Sequence, residues 1–176
     1  MITPAQIQGH YPTLREAALA HNWPKLGAAR GKVMVVLDDT PEKIRAYRGA
    51  RKSLEGRAMF VTADEASPTA AFVALHDPLK EPGRIAGAVK AGFMVITRAD
   101  LDTREARQNR TQRREAAFTS GAQIVQSDFA FADPTISPYR VSLADHPDAM
   151  CGTQLAPERC VRFADQPVRT AIAAAP

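Results

Sequence analysis

The sequence is poor in the residues that build metal centres. It has four histidines and two cysteines in 176 residues, and His10, His21, His76 and His146 are too scattered for any pair to have metal-ligand spacing. Cys151 and Cys160 supply only two sulfurs, an incomplete zinc shell. Their proximity leaves two readings open: a disulfide formed in an oxidising compartment, or two free thiols in a reducing one. No uninterrupted apolar run approaches the roughly 20 residues that a bilayer span needs. Met1–Ala5 (MITPA) has neither the basic start nor the apolar stretch of a signal peptide. There is no GxxxxGK[ST] sequence, no Gly-rich loop after the first apolar run and no GxSxG. A P-loop, a Rossmann dinucleotide site and a nucleophile elbow are therefore unsupported. No internal repeat and no low-complexity segment stands out.

What is present is ordinary globular material, 45% hydrophobic and 24% charged, which excludes disordered, collagen-like and coiled-coil chains. The length suits one domain. A net charge of +4 and a pI near 9.3 permit polyanionic partners without demanding one. Strand and helix signals alternate. Lys32–Leu37 (KVMVVL) is a continuous aliphatic run of the kind buried in parallel sheets. Thr40-Pro41-Glu42 then offers an N-cap with proline at the first helical position, opening a helix to about Gly49. Further strands are predicted at Arg57–Thr62, Ala70–His76, Phe93–Thr97 and Gln123–Gln126. Helices are predicted over Leu14–Ala20, over Arg84–Ala91 with Gly92 as cap, and from the capping-box-like Asp102–Glu105 to about Thr119. Asn22–Gly31 reads as a loop, and the chain after Pro134 as an irregular, Pro-containing tail. Five strands with intervening helices make a parallel α/β unit.

Polar residues gather where the strands end: Asp38, Thr62 with Asp64, His76-Asp77, Arg98 with Asp100, and Ser127-Asp128. Open parallel sheets and (β/α)8 barrels both assemble their sites at the carboxyl ends of strands. Many such Asp and Thr residues do no more than cap the next helix. Arg98 asks for more, because a guanidinium beside an apolar strand must meet a carboxylate or an anion, and its fork suits phosphate.

Several segments taken in order resemble the C-terminal part of the bacterial Ca2+-dependent phosphoinositide phospholipase C family. They are ITPAQIQGHYPTLREA (Ile2–Ala17), NWPKLGAARGKVMVVLDD (Asn22–Asp39), GRAMFVTA (Gly56–Ala63), AAFVALHDP (Ala70–Pro78) and the long stretch Val95–Phe129. That family is a group of phospholipase C-like phosphodiesterases with TIM barrels. The resemblance implies a partial TIM barrel over 1–134, its five strands being the fourth to the eighth, followed by the tail 135–176. A complete barrel runs to about 250 residues. The catalytic histidines and most calcium ligands would then lie on strands that this chain lacks.

Residue by residue, the resemblance places Asp38 where related barrels put a carboxylate on Ca2+. Arg98 matches a strand-end arginine suited to the phosphate or inositol of the substrate, and Asp77 and Asp128 match acidic strand-end positions. His76 departs from the family, standing where asparagine is expected. The tail resembles that of a secreted or periplasmic family, which implies a disulfide between Cys151 and Cys160. The implied activity is Ca2+-dependent cleavage of phosphatidylinositol-type lipids. The alternative is an inactive binding or interaction protein derived from the barrel, prone to self-association through open sheet edges. Arg104, Arg107, Arg110, Arg113 and Arg114 have no aromatic neighbours to stack on bases. They read as the solvated outer helix of a barrel and not as a nucleic-acid interface.

Overall fold

Every segment predicted as a strand contains one, and every strand but β4 is shorter than the apolar run that signalled it. The computed structural model describes residues 1–143. In chain order the elements are α1 (Pro4–Gln8), α2 (Leu14–Leu19), α3 (Leu26–Ala29), β1 (Val36–Leu37), α4 (Pro41–Arg48) and β2 (Phe60–Val61). They continue with β3 (Phe72–Ala74), α5 (Pro82–Ala91), β4 (Met94–Arg98), α6 (Arg104–Arg107), α7 (Gln112–Thr119) and β5 (Ile124–Gln126). All strand pairs are parallel, so the class is α/β. β1 pairs with β2, Val36 opposite Phe60, and β4 lies between β3 and β5, with Ile96 opposite both Ala74 and Ile124. A parallel bridge between Thr62 and Phe72 joins the two sheets, so strand order follows the chain.

Curvature then decides where the site lies. Four steps of about 4.8 Å would hold β1 and β5 about 19 Å apart in a flat sheet. Instead the Gln126 side-chain amide, at the end of β5, approaches Asp38 Oδ2, just past β1, at 3.5 Å. The sheet is curled, and its carboxyl ends gather around a common mouth.

One face of the strands packs on a core that contains Phe60, Phe72, Val73, Val89 and Val95. The rings of Phe60 and Phe72 meet edge-on at 5.1 Å, and Trp23 closes over both. The Trp23 indole N–H donates to the Gly92 carbonyl at 2.7 Å, satisfying the one polar atom that this aromatic brings inward. α2 begins as its sequence directs, with the Thr13 hydroxyl accepting from the Glu16 N–H.

Three expectations need correction. The helix predicted from Asp102 to Thr119 is two helices, α6 and α7. Asp102 and Asn109 take positive φ, 54° and 46°, which turns the chain on either side of α6. Thr103 makes no side-chain cap, and the Glu105 carboxylate accepts from the Leu101 N–H instead. The predicted loop Asn22–Gly31 contains α3, and α1 was not anticipated although Pro4 at its start and Gln6, accepting from the Thr3 N–H, both signal it. Arg113 is not on a solvated face: its side chain is only 8% exposed.

The first residues after Pro134 pack back on the sheet. Tyr139 is buried, its ring edge-on to Phe129 and its hydroxyl donating to the Ala99 carbonyl at 3.1 Å. Cys151 and Cys160 lie outside the described residues. Among those described, no helix is long and apolar enough to cross a membrane.

Candidate functional site

The mouth is built by residues at the ends of β1, β2, β4 and β5. Asp38 follows β1 and is exposed; its Oδ1 accepts from the Thr62 hydroxyl at 3.0 Å, beyond β2. Gln126 reaches Asp38 from β5 and stands in register with Arg98 on β4. Arg98 Nη2 donates to Asp128 Oδ2 at 3.0 Å. Arg98 Nε is buried and has no hydrogen-bond partner among the described residues. A guanidinium carries five N–H donors in a planar fork. A single carboxylate contact leaves most of that fork unused.

Asp128 is held from below. Asp100 is fully buried and accepts from the Ser127 hydroxyl and from the Asp128 N–H, the latter at 3.1 Å. Burial and the negative charge of Asp100 push the Tyr139 hydroxyl up to about 12, so Tyr139 stays a neutral donor near neutral pH. The loop after β5 therefore presents Asp128 from a rigid base.

A second ionic group sits beside β3. Arg113 Nε donates to Glu105 Oε1 at 3.0 Å, and its Nη1 donates to Asp77 Oδ1 at 3.1 Å and to the His76 carbonyl at 3.3 Å. Burial pushes the Asp77 carboxyl up, but the Arg113 hydrogen bond and charge, with the N–H groups of Lys80 and Leu79, outweigh it and leave a net downward shift. Burial likewise opposes ionisation of Glu105, and the Leu101 N–H and Arg113 overcome it.

Of the residues singled out from sequence, Asp38, Arg98 and Asp128 are brought together, linked through Gln126. Asp77 is engaged by Arg113, and the His76 side chain is exposed at the end of β3. Gln126 and the anchoring of Asp128 by Asp100 are legible only once the strand ends are adjacent. For Arg113 there was a signal, the lone Glu105 in an arginine-rich run, but its meaning depended on the break between α6 and α7.

A family model described as phosphoinositide phospholipase C, Ca2+-dependent, matches residues 1–152. The chain belongs to the Ca2+-dependent phosphoinositide phospholipase C family. No curated protein and no solved structure matches it. For a phosphoinositide phospholipase C-like domain, the arginine fork at the strand ends is a group of the right charge and shape for a phosphate. The calcium in the family name tests less well against the residues present. Ca2+ takes about 6–8 oxygen ligands. Asp38 supplies one carboxylate, whose two oxygens already accept from Thr62 and face Gln126. Among the described residues no group of three His, Cys, Asp or Glu could hold a metal ion. These residues do not form a calcium centre of their own.

Proposed function

We propose that this chain forms the headgroup-binding side of a phosphoinositide phosphodiesterase, with Arg98 receiving the phosphate. The observation that carries this reading is the arginine itself: a half-buried fork at the mouth which, among the described residues, has one contact to Asp128 and an unpartnered, buried Nε. An incoming phosphate takes the free N–H donors, and Asp128 is placed to accept from hydroxyl groups of a polyol headgroup. His76 and Asp77, at the carboxyl end of β3, are assigned to the same headgroup side. Asp38 is assigned as one oxygen ligand of a calcium site that needs several more.

The parallel strands in chain order and the approach of Gln126 to Asp38 support a further reading, that β1 to β5 are the fourth to eighth strands of an eight-stranded barrel. Cleavage of the diester calls for an acid and a base at the phosphate. On this reading those groups belong to the other strands, and residues 1–176 bind the headgroup without turning it over.

Arg98→Ala is expected to weaken binding of inositol phosphate by about 10- to 100-fold, the worth of a charge-assisted hydrogen-bond pair. Calorimetric titration of the full chain measures it, with Arg110→Ala as the control outside the mouth. Equal losses in the two variants would remove Arg98 from the site. Phosphatidylinositol hydrolysis by the same material is expected to be absent with and without Ca2+, and turnover would overturn the assignment of the acid and base to other strands.

The two sheet edges support self-association. Among the described residues β1 and β5 each have one parallel neighbour, so alternate N–H and C=O groups, such as those of Val36 and Val125, face outward from the sheet. Light scattering across a concentration series is expected to show a rising mass. A constant monomer mass would refute this.

A further inference from the structure

We propose a second anion site, built by Arg48, Arg51 and Arg57 between α4 and β2, that takes a dianionic phosphate group. The mouth lies at the carboxyl ends of the parallel strands, whereas α4 returns the chain to the amino end of β2. The site is therefore separate from Arg98 and does not rest on the phosphodiesterase reading.

Unpaired charge is the first argument. Residues 48–57 hold three arginines and Lys52 against Glu55 alone. The Glu55 carboxylate accepts from the Ser53 N–H at 3.0 and 3.1 Å. Arg45, one turn earlier on α4, is paired with Glu42 at 2.9 Å. Among the described residues, Arg48, Arg51, Lys52 and Arg57 make no ion pair.

Burial is the second argument. On α4 only Ile44, Tyr47 and Arg48 are half-buried, which is the spacing of one helix face turned inward. Arg48 carries its charge on that face, and its Nε is buried with no hydrogen-bond partner among the described residues. Arg57, just ahead of β2, is half-buried too and has the same orphaned Nε. A charged donor held out of water calls for an acceptor.

Geometry is the third. The Arg57 guanidinium lies over the Tyr47 ring, 5.0 Å from its centroid, and the Tyr47 hydroxyl accepts from the Met59 N–H at 2.7 Å. Stacking on a pinned ring occupies the flat face of the guanidinium and leaves its edge of donors free. A Cβ on Gly49 would stand 3.4 Å from Arg51 Nη1 and 3.7 Å from Arg57 Nη2, so two cations lean over the same glycine. Like charges brought this close are stabilised by a shared anion. The carbonyl end of α4 explains Arg51, which donates to the Arg48 and Glu55 carbonyls at 3.2 and 2.7 Å. It does not explain Arg48 or Arg57, whose side chains donate no hydrogen bond among the described residues. Phosphate, with two charges and several acceptor oxygens, can serve more than one fork at once.

The test is calorimetric titration of the full chain carrying Arg98→Ala, which removes the mouth's own arginine. The probes are inorganic phosphate and glycerol phosphate, a small monoester. One phosphate per chain is expected with Kd of about 1 mM, weakening as salt is raised. Arg48→Gln and Arg57→Gln should each weaken binding by about ten-fold or more. Arg57→Lys should recover part of the loss, since it keeps the charge and not the fork. Arg45→Gln should change nothing. Circular dichroism checks that each variant folds, and the Nε–H signals of Arg48 and Arg57 in nitrogen-15 NMR should shift together on titration of the unsubstituted chain. Binding of either probe supports the site, and the tighter one tells whether free or esterified phosphate is its ligand. No saturable binding, an equal loss in Arg45→Gln, or binding indifferent to the Arg48 and Arg57 changes would each overturn the proposal. Phosphate binding here in a chain whose Arg98 proves irrelevant to inositol phosphate would leave it standing while the headgroup reading fails.

Discussion

Arg113→Ala is expected to lower the unfolding free energy by about 3–5 kcal/mol at neutral pH, read as a fall in the urea midpoint. Arg113 and Glu105 have side chains only 8% and 10% exposed, and Asp77 is drawn into the same group. Deleting the cation leaves the Glu105 carboxylate, and in part that of Asp77, desolvated without a cation to offset it. The double variant Arg113→Met, Glu105→Leu should recover much of the loss, because an apolar pair restores the packing and removes the charges. A loss under about 1 kcal/mol in the single variant would mean that water already serves these groups.

The same group gives a pH dependence with a definite sign. Asp77 and Glu105 have folded values below their ordinary 3.8 and 4.5, burial being outweighed by Arg113 and backbone N–H groups. Their contribution to stability is therefore present above the unfolded values and is lost as pH falls through the lower, folded ones. Wild-type stability should decline on acidification below about pH 4.5. In Arg113→Ala only the backbone N–H groups oppose burial, so the defect should be greatest at neutral pH and shrink toward pH 4. An equal defect at both ends would contradict the ionic account.

Gly92→Ala is expected to cost about 3 kcal/mol or more and to leave much of the protein insoluble. Gly92 ends α5 at φ 105°, a conformation that side-chain-bearing residues rarely adopt. A Cβ there would stand 2.3 Å from the Ala18 carbonyl oxygen, a backbone atom of α2 that cannot swing aside. Backbone strain and overpacking each contribute about 1–3 kcal/mol in such cases. Moving the turn would also disturb the Gly92 carbonyl that accepts from Trp23. A variant with unchanged thermal midpoint would show that α2 and the α5–β4 turn are not in firm contact.

Gly92 also shows how far local sequence reaches. Glycine after an apolar helix is enough to predict a left-handed cap, and the structure has one. That the cap is pressed against α2, some seventy residues earlier, is a tertiary fact that periodicity cannot express. The five strand segments, α2, α4 and α5 were legible for the same local reason: continuous β-branched runs, Thr-Pro starts and glycine ends act over a few residues. Four of the five strands proved shorter than their runs because ladder pairing, not hydrophobicity, sets where a strand stops.

The long helix was misread where a local rule met a tertiary demand. Asp102–Glu105 has the composition of a capping box, and an isolated chain could use it so. In the fold, Glu105 turns inward to meet Arg113 and the Leu101 N–H, and the chain kinks at Asn109 to allow it. Ion pairing across a buried space is decided by which elements share that space.

By itself the sequence determined the class of the fold, the identity of its strands and the family to which the chain belongs. It also marked Asp38, Arg98 and Asp128 as polar groups at strand ends. Only the tertiary structure decided that the sheet curls, so that Asp38 meets Gln126 and Arg98 meets Asp128, while Asp77 is engaged by Arg113. The reason is one of range. Helix caps and strand propensities are settled within a turn or two of chain, whereas a charge chooses its partner from whatever the completed fold brings within about 4 Å.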